Sequence, residues 1–407
     1  MQGHTTTTSF KIWCMVKDAD QVQLKLSHAG KTVNKKTVDI SRTKFWKDYA
    51  PFTVEFVRLD PETTYQLSVT VDGEEVDEVY EFSTWQPEIK EQYSFLVGSC
   101  AFFVTGGWKL LWQNRNRAMK TMADAEGDFM IWMGDNTYML FGEWEKAERM
   151  QKKYTRVRLH PKYNKFLTSR PMYATWDDHD FGPDNSDGTF HNKKATLANF
   201  QAFWPNAYFG TDETAGVFSH FQYMDSEFFL LDDRYHRLDS AHQQILGPEQ
   251  MAWLKERLSA STATFKFIVH GSQVLNESNG YECLAQYDEQ DELINFLTEQ
   301  GIEGVIFLSG DRHFTELLKV EREGLYPLYE FTNSPLTAFL RRATGKKKNN
   351  EFANPLRVPG TLVIERNYGS VDISGPLDNR VCTLRTFDNS GNLEWEYQIK
   401  ANDLKFD

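Results

Sequence analysis

Six short apolar segments in this sequence run directly into loops that carry glycine or charged residues. Apolar runs of this length, bounded by turn residues, predict strands that are buried on both faces. In open α/β sheets, ligands bind in the crevice outside the carboxyl ends of the strands. We therefore expect the six loops to meet at one site. The segments are Phe95–Val97 before Gly98-Ser99-Cys100, Phe129–Met133 before Gly134-Asp135, Met172–Trp176 before Asp177-Asp178-His179-Asp180, Phe228–Leu231 before Asp232-Asp233-Arg234, Phe265–Val269 before His270-Gly271-Ser272, and Val305–Ser309 before Gly310-Asp311-Arg312-His313.

Amphipathic helical patterns alternate with these apolar segments. One pattern begins at Pro248, and a second runs from about Asp288 to Gln300, with Gly301 placed to end it. This alternation is typical of a layered α/β domain, which we place at residues 91–407. Near its end, residues 381–385 and 393–397 flank Asn389-Ser390-Gly391-Asn392 and predict a β-hairpin.

The first 86 residues follow a different pattern, in which apolar and polar residues alternate. Segments such as Val22–Leu26 and Tyr65–Val69 have this period of two, and turn signals such as Asp72-Gly73 lie between them. We expect a small antiparallel β-sandwich over residues 1–86. A linker around Trp85–Glu88 leads into the α/β domain.

The formal net charge of −13 over 407 residues argues against a general nucleic-acid binder, because the phosphate backbone rewards clustered lysine and arginine. It does not argue against a small phosphorylated substrate, since bound cations can dominate the field of an acidic site. No apolar stretch approaches the roughly 20 residues of a membrane span. No basic and apolar signal segment follows Met1, so we expect a cytoplasmic protein, or a periplasmic or secreted one if a leader has been removed.

Asp135 and the run from Asp177 to Asp180 are the first candidates for chemistry. The carboxylate of Asp135 could bridge two cations, although an aspartate after a strand is often a cap or turn residue. A carboxylate beside an imidazole can serve as a metal ligand or as a general acid, and a further carboxylate can orient the imidazole. The alternative for this run is a charged loop that faces water.

A second set of candidates gives a mixed group of ligands. Asp311 and His313, two residues apart, could face one centre. Cys100 could be a thiolate ligand or a buried small apolar residue. Tyr138 could be a packed aromatic or a phenolate ligand, which would favour ferric iron.

Arginines near the strand ends are candidate phosphate contacts, because a guanidinium can bind phosphate in a bidentate manner. Arg234, Arg237 and Arg312 fall in this class, and structural ion pairs with aspartates are an equal alternative. The aromatic segment from Phe102-Phe103 to Trp108 and Trp112 is predicted to shape the mouth of the pocket.

Five motifs, taken in order, resemble those of the PhoD-type alkaline phosphatases, which belong to the calcineurin-like metallophosphoesterases. They are Gly98-Ser99-Cys100, Gly134-Asp135-Asn136-Thr137-Tyr138, Trp176-Asp177-Asp178-His179-Asp180, Leu231-Asp232-Asp233-Arg234 and Ser309-Gly310-Asp311-Arg312-His313. The segment from Gly3 to Ser9, with Ile12-Trp13, is similar to the N-terminal fibronectin-like domain of that family.

The resemblance implies a β-sandwich flanked by helices, preceded by a small all-β fibronectin- or Ig-like domain, and a site with Fe³⁺ and Ca²⁺. It implies that Cys100, Asp135, Tyr138 and His313 hold iron, and that Asp135 also reaches calcium. Asp311, Asp178 and Asn185 would complete the calcium position. His179 would act as the acid, oriented by Asp180.

The expected function is metal-dependent hydrolysis of phosphate esters, as a phosphodiesterase, a phosphatase or both, by a metal-activated water. Hard oxygen ligands would also accept Mg²⁺, and Zn²⁺ or Mn²⁺ are alternatives to iron. The substrate would be a small, lipid-linked or polymer-linked phosphoester. A nuclease-type phosphodiesterase and a surface- or carbohydrate-binding protein with a non-catalytic metal site are the alternatives.

Overall fold

A computed structural model describes residues 1–103, 117–239, 244–278, 282–341 and 352–406. The strands in these residues are β1 Gln2–Thr5, β2 Ser9–Lys17, β3 Gln21–His28, β4 Lys31–Asp39, β5 Tyr49–Val57, β6 Thr64–Val71, β7 Glu74–Glu75, β8 Tyr80–Ser83, β9 Gln92–Gly98, β10 Phe129–Met133, β11 Met172–Thr175, β12 Ser219–Tyr223, β13 Ser226–Leu230, β14 Phe265–His270, β15 Val305–Ser309, β16 Glu316–Arg322, β17 Leu325–Thr332, β18 Asn367–Ser374, β19 Val381–Asp388 and β20 Leu393–Lys400. The α-helices are α1 Arg117–Asp124, α2 Ala147–Arg158, α3 Pro161–Leu167, α4 Asp178–Phe181, α5 Lys193–Phe203, α6 Pro248–Ala260 and α7 Asp288–Glu299. Short 3₁₀ turns cover Trp46–Asp48, Glu143–Glu145, Leu284–Gln286, Leu377–Asn379 and Ala401–Leu404.

The N-terminal region is all β, as the alternating pattern predicts. One sheet has the order β1-β2-β5 and the other has the order β4-β3-β6-β7, with β8 paired to β6. Alternate residues of β3, namely Val22, Leu24 and Leu26, are fully buried, and they share a core with residues of β2 and β5. The boundary between residues 86 and 91 stays a prediction.

The rest of the chain builds two six-stranded mixed sheets, so the α/β class is confirmed. Their orders are β11-β10-β9-β18-β19-β20 and β12-β13-β14-β15-β17-β16. In the first sheet β9, β10 and β11 run parallel, and in the second sheet β13, β14, β15 and β17 do so. The predicted helices at Pro248 and Asp288 are present as α6 and α7, and the predicted terminal hairpin is β19–β20.

Aromatic side chains fill the space between the two large sheets. The ring of Phe95 stacks on Phe129 in its own sheet at 5.1 Å between centroids. It also meets Phe228 and Phe267 of the other sheet edge to face, at 5.0 and 5.2 Å. Because the central strands are covered on both faces, they read as continuous apolar runs rather than alternating ones.

The carboxyl ends of the parallel strands from both sheets meet at one edge of this sandwich. The hydroxyl of Thr175, at the end of β11, donates to the carbonyl of Leu231 in the other sheet at 2.5 Å. Gly310 lies so close to the first sheet that a Cβ there would be 2.6 Å from the Cβ of Ser99. The loops that follow these strands therefore share one site. Among the described residues, no helix has the length and apolar character needed to cross a bilayer.

Candidate metal centre

Each candidate ligand follows a buried strand. Cys100 follows β9, Asp135 follows β10, and Asp178 opens helix α4 after β11. Asp311 and His313 follow β15 in the second sheet. The parallel order of these strands thus places side chains that are up to 213 positions apart in sequence at one edge.

Four of these residues hold the left-handed backbone conformation that non-glycine residues seldom adopt. The φ angles are 57° at Cys100, 56° at Asp135, 64° at Asp311 and 58° at His313. Gly134, with φ of 83°, precedes Asp135, and a Cβ there would be 2.6 Å from the Cβ of Asp177. Strained backbone of this kind concentrates at functional sites, where it aims side chains at one point.

A first group of donors combines sulfur, nitrogen and oxygen. The Sγ of Cys100, a carboxylate oxygen of Asp135 and a ring nitrogen of His313 all lie within 4.8 Å of one another. The hydroxyl of Tyr138 joins them, because it lies 2.7 Å from Oδ2 of Asp135 and 2.9 Å from Nε2 of His313. The hydroxyl of Ser334 donates to the Cys100 sulfur at 3.1 Å.

A second group shares a member with the first. Donor atoms of Asp135, Asp178 and His179 also lie within 4.8 Å of one another. The backbone N–H of His179 donates to Oδ1 of Asp178 at 2.7 Å and to Oδ1 of Asp135 at 3.3 Å. Asp135 belongs to both groups, which is the arrangement that a bridging carboxylate between two cations needs.

The pKa shifts of the clustered side chains indicate a site that favours a bound cation. Burial, together with the charges of Asp178, Asp180 and Asp311, raises the pKa of Asp135 well above its usual range. Burial raises the pKa of the Cys100 thiol and lowers the pKa of His313 to about 4. A bound cation would oppose the shifts of Asp135 and Cys100, because it stabilises carboxylate and thiolate, whereas the lowered pKa of His313 already favours the neutral imidazole that binds a metal.

His179 also fits a centre of this kind. Its Nδ1 is buried without a hydrogen-bond partner, although its ring stacks on Tyr138 at 4.2 Å between centroids. Buried polar atoms are nearly always satisfied, so an orphaned ring nitrogen beside two carboxylates is a sign of a ligand. The donor set and this orphaned atom together fit a metal centre.

The structure places Asp311 and Asn185 at the margin of the two groups. Asp311 lies in neither donor group, and its Oδ2 accepts a hydrogen bond from Nη1 of Arg312 at 2.8 Å. The charge of Asp311 nevertheless raises the pKa of Asp135 and of Cys100, so it lies in the same field. Asn185 is exposed, its amide donates to Asp184, and only its backbone N–H reaches the site, at 2.7 Å from Oδ2 of Asp178.

Two of the three predicted phosphate-binding arginines form ion pairs with carboxylates of the protein itself. Arg234 is fully buried; its Nε donates to Oδ1 of Asp177 at 2.6 Å and its Nη1 to Oε1 of Glu282 at 3.1 Å. Arg237 is also buried, and its Nε donates to Oδ1 of Asp239 at 2.8 Å. The predicted phosphate contact of Arg234 and Arg237 is therefore not supported, and the structural ion pair is what the chain forms.

Asp180 does not orient His179, so that prediction is wrong. Its carboxylate accepts hydrogen bonds from the backbone N–H groups of Asn136 and Thr137, both at 2.9 Å, and from the Tyr154 hydroxyl at 3.0 Å. Besides Asp135 and Asp178, the carboxylate of Asp184 lies near the imidazole, with its Oδ1 3.6 Å from Nε2 of His179.

Sequence reasoning missed Asp184 and Ser334. Ser334 follows β17 in the polar segment Thr332-Asn333-Ser334, so it repeats the strand-end signal that marks the other loops. Asp184 carries no comparable signal, because it lies in an exposed turn after α4. Trp108 and Trp112, predicted to shape the pocket mouth, lie outside the described residues.

Comparison with known proteins agrees with this geometry. The family model of the PhoD-like phosphatases matches residues 95–367. A solved structure of PhoD superimposes with a TM-score of 0.77 at 17% identity, covering 98% of this chain and 91% of that one. The purple acid phosphatase PPD1 from seeds of yellow lupin (Lupinus luteus) gives a TM-score of 0.66 at 11% identity, covering 99% of this chain and 74% of that one. No curated protein matches the sequence significantly. The matched residues make up most of the chain and include the candidate metal ligands. The chain therefore belongs to the PhoD-like phosphatases and is a metal-dependent phosphoester hydrolase.

Proposed function

We propose that this chain hydrolyses small, lipid-linked or polymer-linked phosphate esters at a centre of ferric iron and calcium. The observation that carries the proposal is the shared carboxylate of Asp135, which lies in both donor groups. A single structural metal would need only one of the two groups. A pair of neighbouring cations is the arrangement by which many phosphoesterases bind a phosphoryl group.

The chemistry of the donors supports the choice of metals. Cys100, Tyr138 and His313, with Asp135, offer sulfur, phenolate and imidazole, a set that suits a transition metal and above all ferric iron. Asp135 and Asp178, with Asp311 nearby, offer hard carboxylate oxygens that suit calcium. When bound, the cations neutralise the oxygens of the phosphoryl group and lower the pKa of a water.

His179 is positioned to hold the proton that the leaving oxygen needs. Its Nδ1 faces the protein interior, whereas its Nε2 lies toward the exposed carboxylate of Asp184. A proton on Nε2 would point toward the Asp184 carboxylate, whose Oδ1 lies 3.6 Å away. Stacking on Tyr138 fixes the plane of the imidazole, so the proton is presented in one direction.

Asp180 and Ser334 act as positioning residues. Asp180 holds the backbone of Asn136 and Thr137, and these two residues connect Asp135 to Tyr138. Ser334 donates its hydroxyl proton to the Cys100 sulfur and accepts the backbone N–H of His313 at 2.9 Å. Asp180 therefore fixes the loop between two neighbouring candidate ligands, and Ser334 ties together two, Cys100 and His313, that come from different parts of the chain.

The test is elemental analysis of the purified protein, paired with hydrolysis of a bis-aryl phosphate before and after chelation. We expect iron and calcium, and turnover that chelation abolishes. Asp135→Asn should lose metal and activity together, because it removes the charge that both donor groups share. Asp124→Asn is the matched control, since Asp124 is exposed and forms an ion pair with Lys165 on the surface. Full metal content with full activity in Asp135→Asn would refute the proposal.

A further inference from the structure

Arg158, the last residue of helix α2, is a buried cation surrounded by aromatic rings. It is 1% exposed, and its guanidinium carbon lies 4.5–6.0 Å from the centroids of five rings. Among the described residues, no carboxylate forms an ion pair with Arg158, and its Nε has no hydrogen-bond partner. A buried charge without a counter-ion is costly, so packing alone does not explain an arginine here. The five rings belong to Trp13, Tyr154, Tyr163, Phe203 and Trp204.

Two of these rings connect Arg158 to the loop that carries candidate metal ligands. Nη1 of Arg158 donates to the Tyr163 hydroxyl at 3.4 Å, and that hydroxyl donates to the carbonyl of Asn136 at 3.5 Å. Tyr154, whose ring centroid lies 5.8 Å from the guanidinium, donates its hydroxyl to Asp180 at 3.0 Å. Asp180 in turn accepts the backbone N–H of Asn136 at 2.9 Å. Both connections therefore end at Asn136, the residue directly after the carboxylate that the two donor groups share.

The N-terminal β region supplies one of the rings around Arg158. Trp13 lies in β2, and its indole N–H donates to the carbonyl of Ala202 in α5 at 2.8 Å. Its ring also meets that of Phe203 at 5.8 Å between centroids, and the carbonyl of Phe203 accepts from Nη2 of Arg158 at 3.3 Å. The first 86 residues contribute none of the candidate ligands. Through Trp13 they nevertheless contact the cation that is connected to the ligand loop.

We propose that Arg158 and Trp13 are positioning residues for the metal centre, through which the N-terminal β region fixes the loop from Asp135 to Tyr138. The inference rests on the proposed function, because it concerns how that centre holds its cations. Packed side chains and hydrogen bonds that form a continuous chain carry coupling between distant parts of a protein. Groups that hold metal ligands in place typically change metal affinity by about 10-fold to 100-fold when they are replaced. Since Arg158 acts through two tyrosines, we expect an effect of about tenfold.

The first test compares Arg158→Met with Arg170→Met in the full-length protein, as purified and then freed of calcium with EGTA. Arg170 is the matched control because it is also buried and donates to backbone carbonyls, those of Met122 and Ala125, at 2.8 Å. It lies just before β11, whereas the centre lies beyond the opposite end of that strand. Calorimetric titration with Ca²⁺ should give a Kd raised about tenfold in Arg158→Met and unchanged in Arg170→Met. Stability should show the reverse order, because Arg170→Met leaves several carbonyls without donors and Arg158→Met removes an unpaired buried charge.

A second comparison tests the contribution of the N-terminal region. Trp13→Leu should raise the Kd for Ca²⁺, whereas Lys11→Met should not. Lys11 is the matched control because it lies on the same strand and donates to the carbonyls of Asn206 and Ala207 at 3.1 and 2.7 Å, away from the rings around Arg158. The double variant Trp13→Leu/Arg158→Met should raise the Kd no further than Arg158→Met alone, because both residues act along one path.

Three results would overturn the inference. They are an unchanged Kd for Ca²⁺ in a folded Arg158→Met variant, an equal rise in Arg170→Met, and additive effects of the Trp13 and Arg158 substitutions. Should Arg158→Met fail to fold, Tyr163→Phe decides in its place, because it removes one hydroxyl from the connection to Asn136. It should raise the Kd, and an unchanged Kd would overturn the inference. A parent protein that neither binds Ca²⁺ nor hydrolyses a bis-aryl phosphate is a different failure, because it would refute the proposed function itself.

Discussion

Replacing Asp180 tests whether this buried carboxylate builds the loop between two candidate ligands. In Asp180→Ala, the backbone N–H groups of Asn136 and Thr137 lose their acceptor, and both residues are fully buried. A buried donor left unpaired costs about 1–3 kcal/mol, so the two together cost about 2–6 kcal/mol. The lost bond from the Tyr154 hydroxyl adds about 1 kcal/mol. We expect unfolding in urea to show a free energy lower by about 4 kcal/mol, with the metal content reduced in parallel.

Tyr154→Phe is the graded control, because it removes one of these bonds and keeps the ring. It should lower the free energy of unfolding by only about 1 kcal/mol and leave the metal content intact. The reasoning would fail if Asp180→Ala unfolded within experimental error of the parent. It would also fail if that variant were stable but had a pH profile altered in the way expected for a missing partner of His179.

Two further substitutions test the buried ionisable residues Arg234 and Glu330. Arg234→Met should lower the free energy of unfolding by about 3–5 kcal/mol, because it leaves Asp177 buried without its counter-charge; a fully stable variant with a raised KM would restore the phosphate-binding role instead. Burial raises the pKa of Glu330 to about 7 from 4.5, so its contribution to stability is complete below pH 4.5 and is lost as the pH rises through 7. Glu330→Gln should remove up to about 3 kcal/mol of the loss in stability between pH 5 and 8, measured by denaturant unfolding at both values; an unchanged pH dependence would contradict this.

The location of the site could be predicted from sequence because it depends on a pattern that repeats. Residues such as Cys100, Asp135 and His313 each follow an apolar run, and parallel strands bring their carboxyl ends to one edge. The two large sheets follow from the same runs, since strands buried on both faces show no alternation. The pattern predicts only that these residues lie close together at one edge of the sheets, and the structure confirms that they do.

The roles of neighbouring charged residues could not be predicted in the same way. Asp177, Asp178 and Asp180 follow one strand, yet Asp177 pairs with Arg234, Asp178 belongs to a donor group and Asp180 accepts hydrogen bonds from backbone amides. Which way each carboxylate points depends on the short helix α4 and on partners distant in sequence, such as Asn136 for Asp180 and Arg234 for Asp177. The side chains of neighbouring residues in such a turn point in different directions, so the residue type alone does not predict the role of each aspartate.

The order of strands in the first large sheet has a consequence for the newly made chain. Strand β9, which leads to Cys100, pairs with β10 on one side and on the other with β18, which begins at Asn367, 269 positions after β9 ends at Gly98. Until β18 has been synthesised, the backbone N–H and C=O groups on one edge of β9 lack their final partners. Other nascent chains can form hydrogen bonds to such an edge. A message truncated before residue 367 would yield a polypeptide with that edge permanently open. The strand that leads to Cys100 can therefore complete its pairing only after β18 has been synthesised.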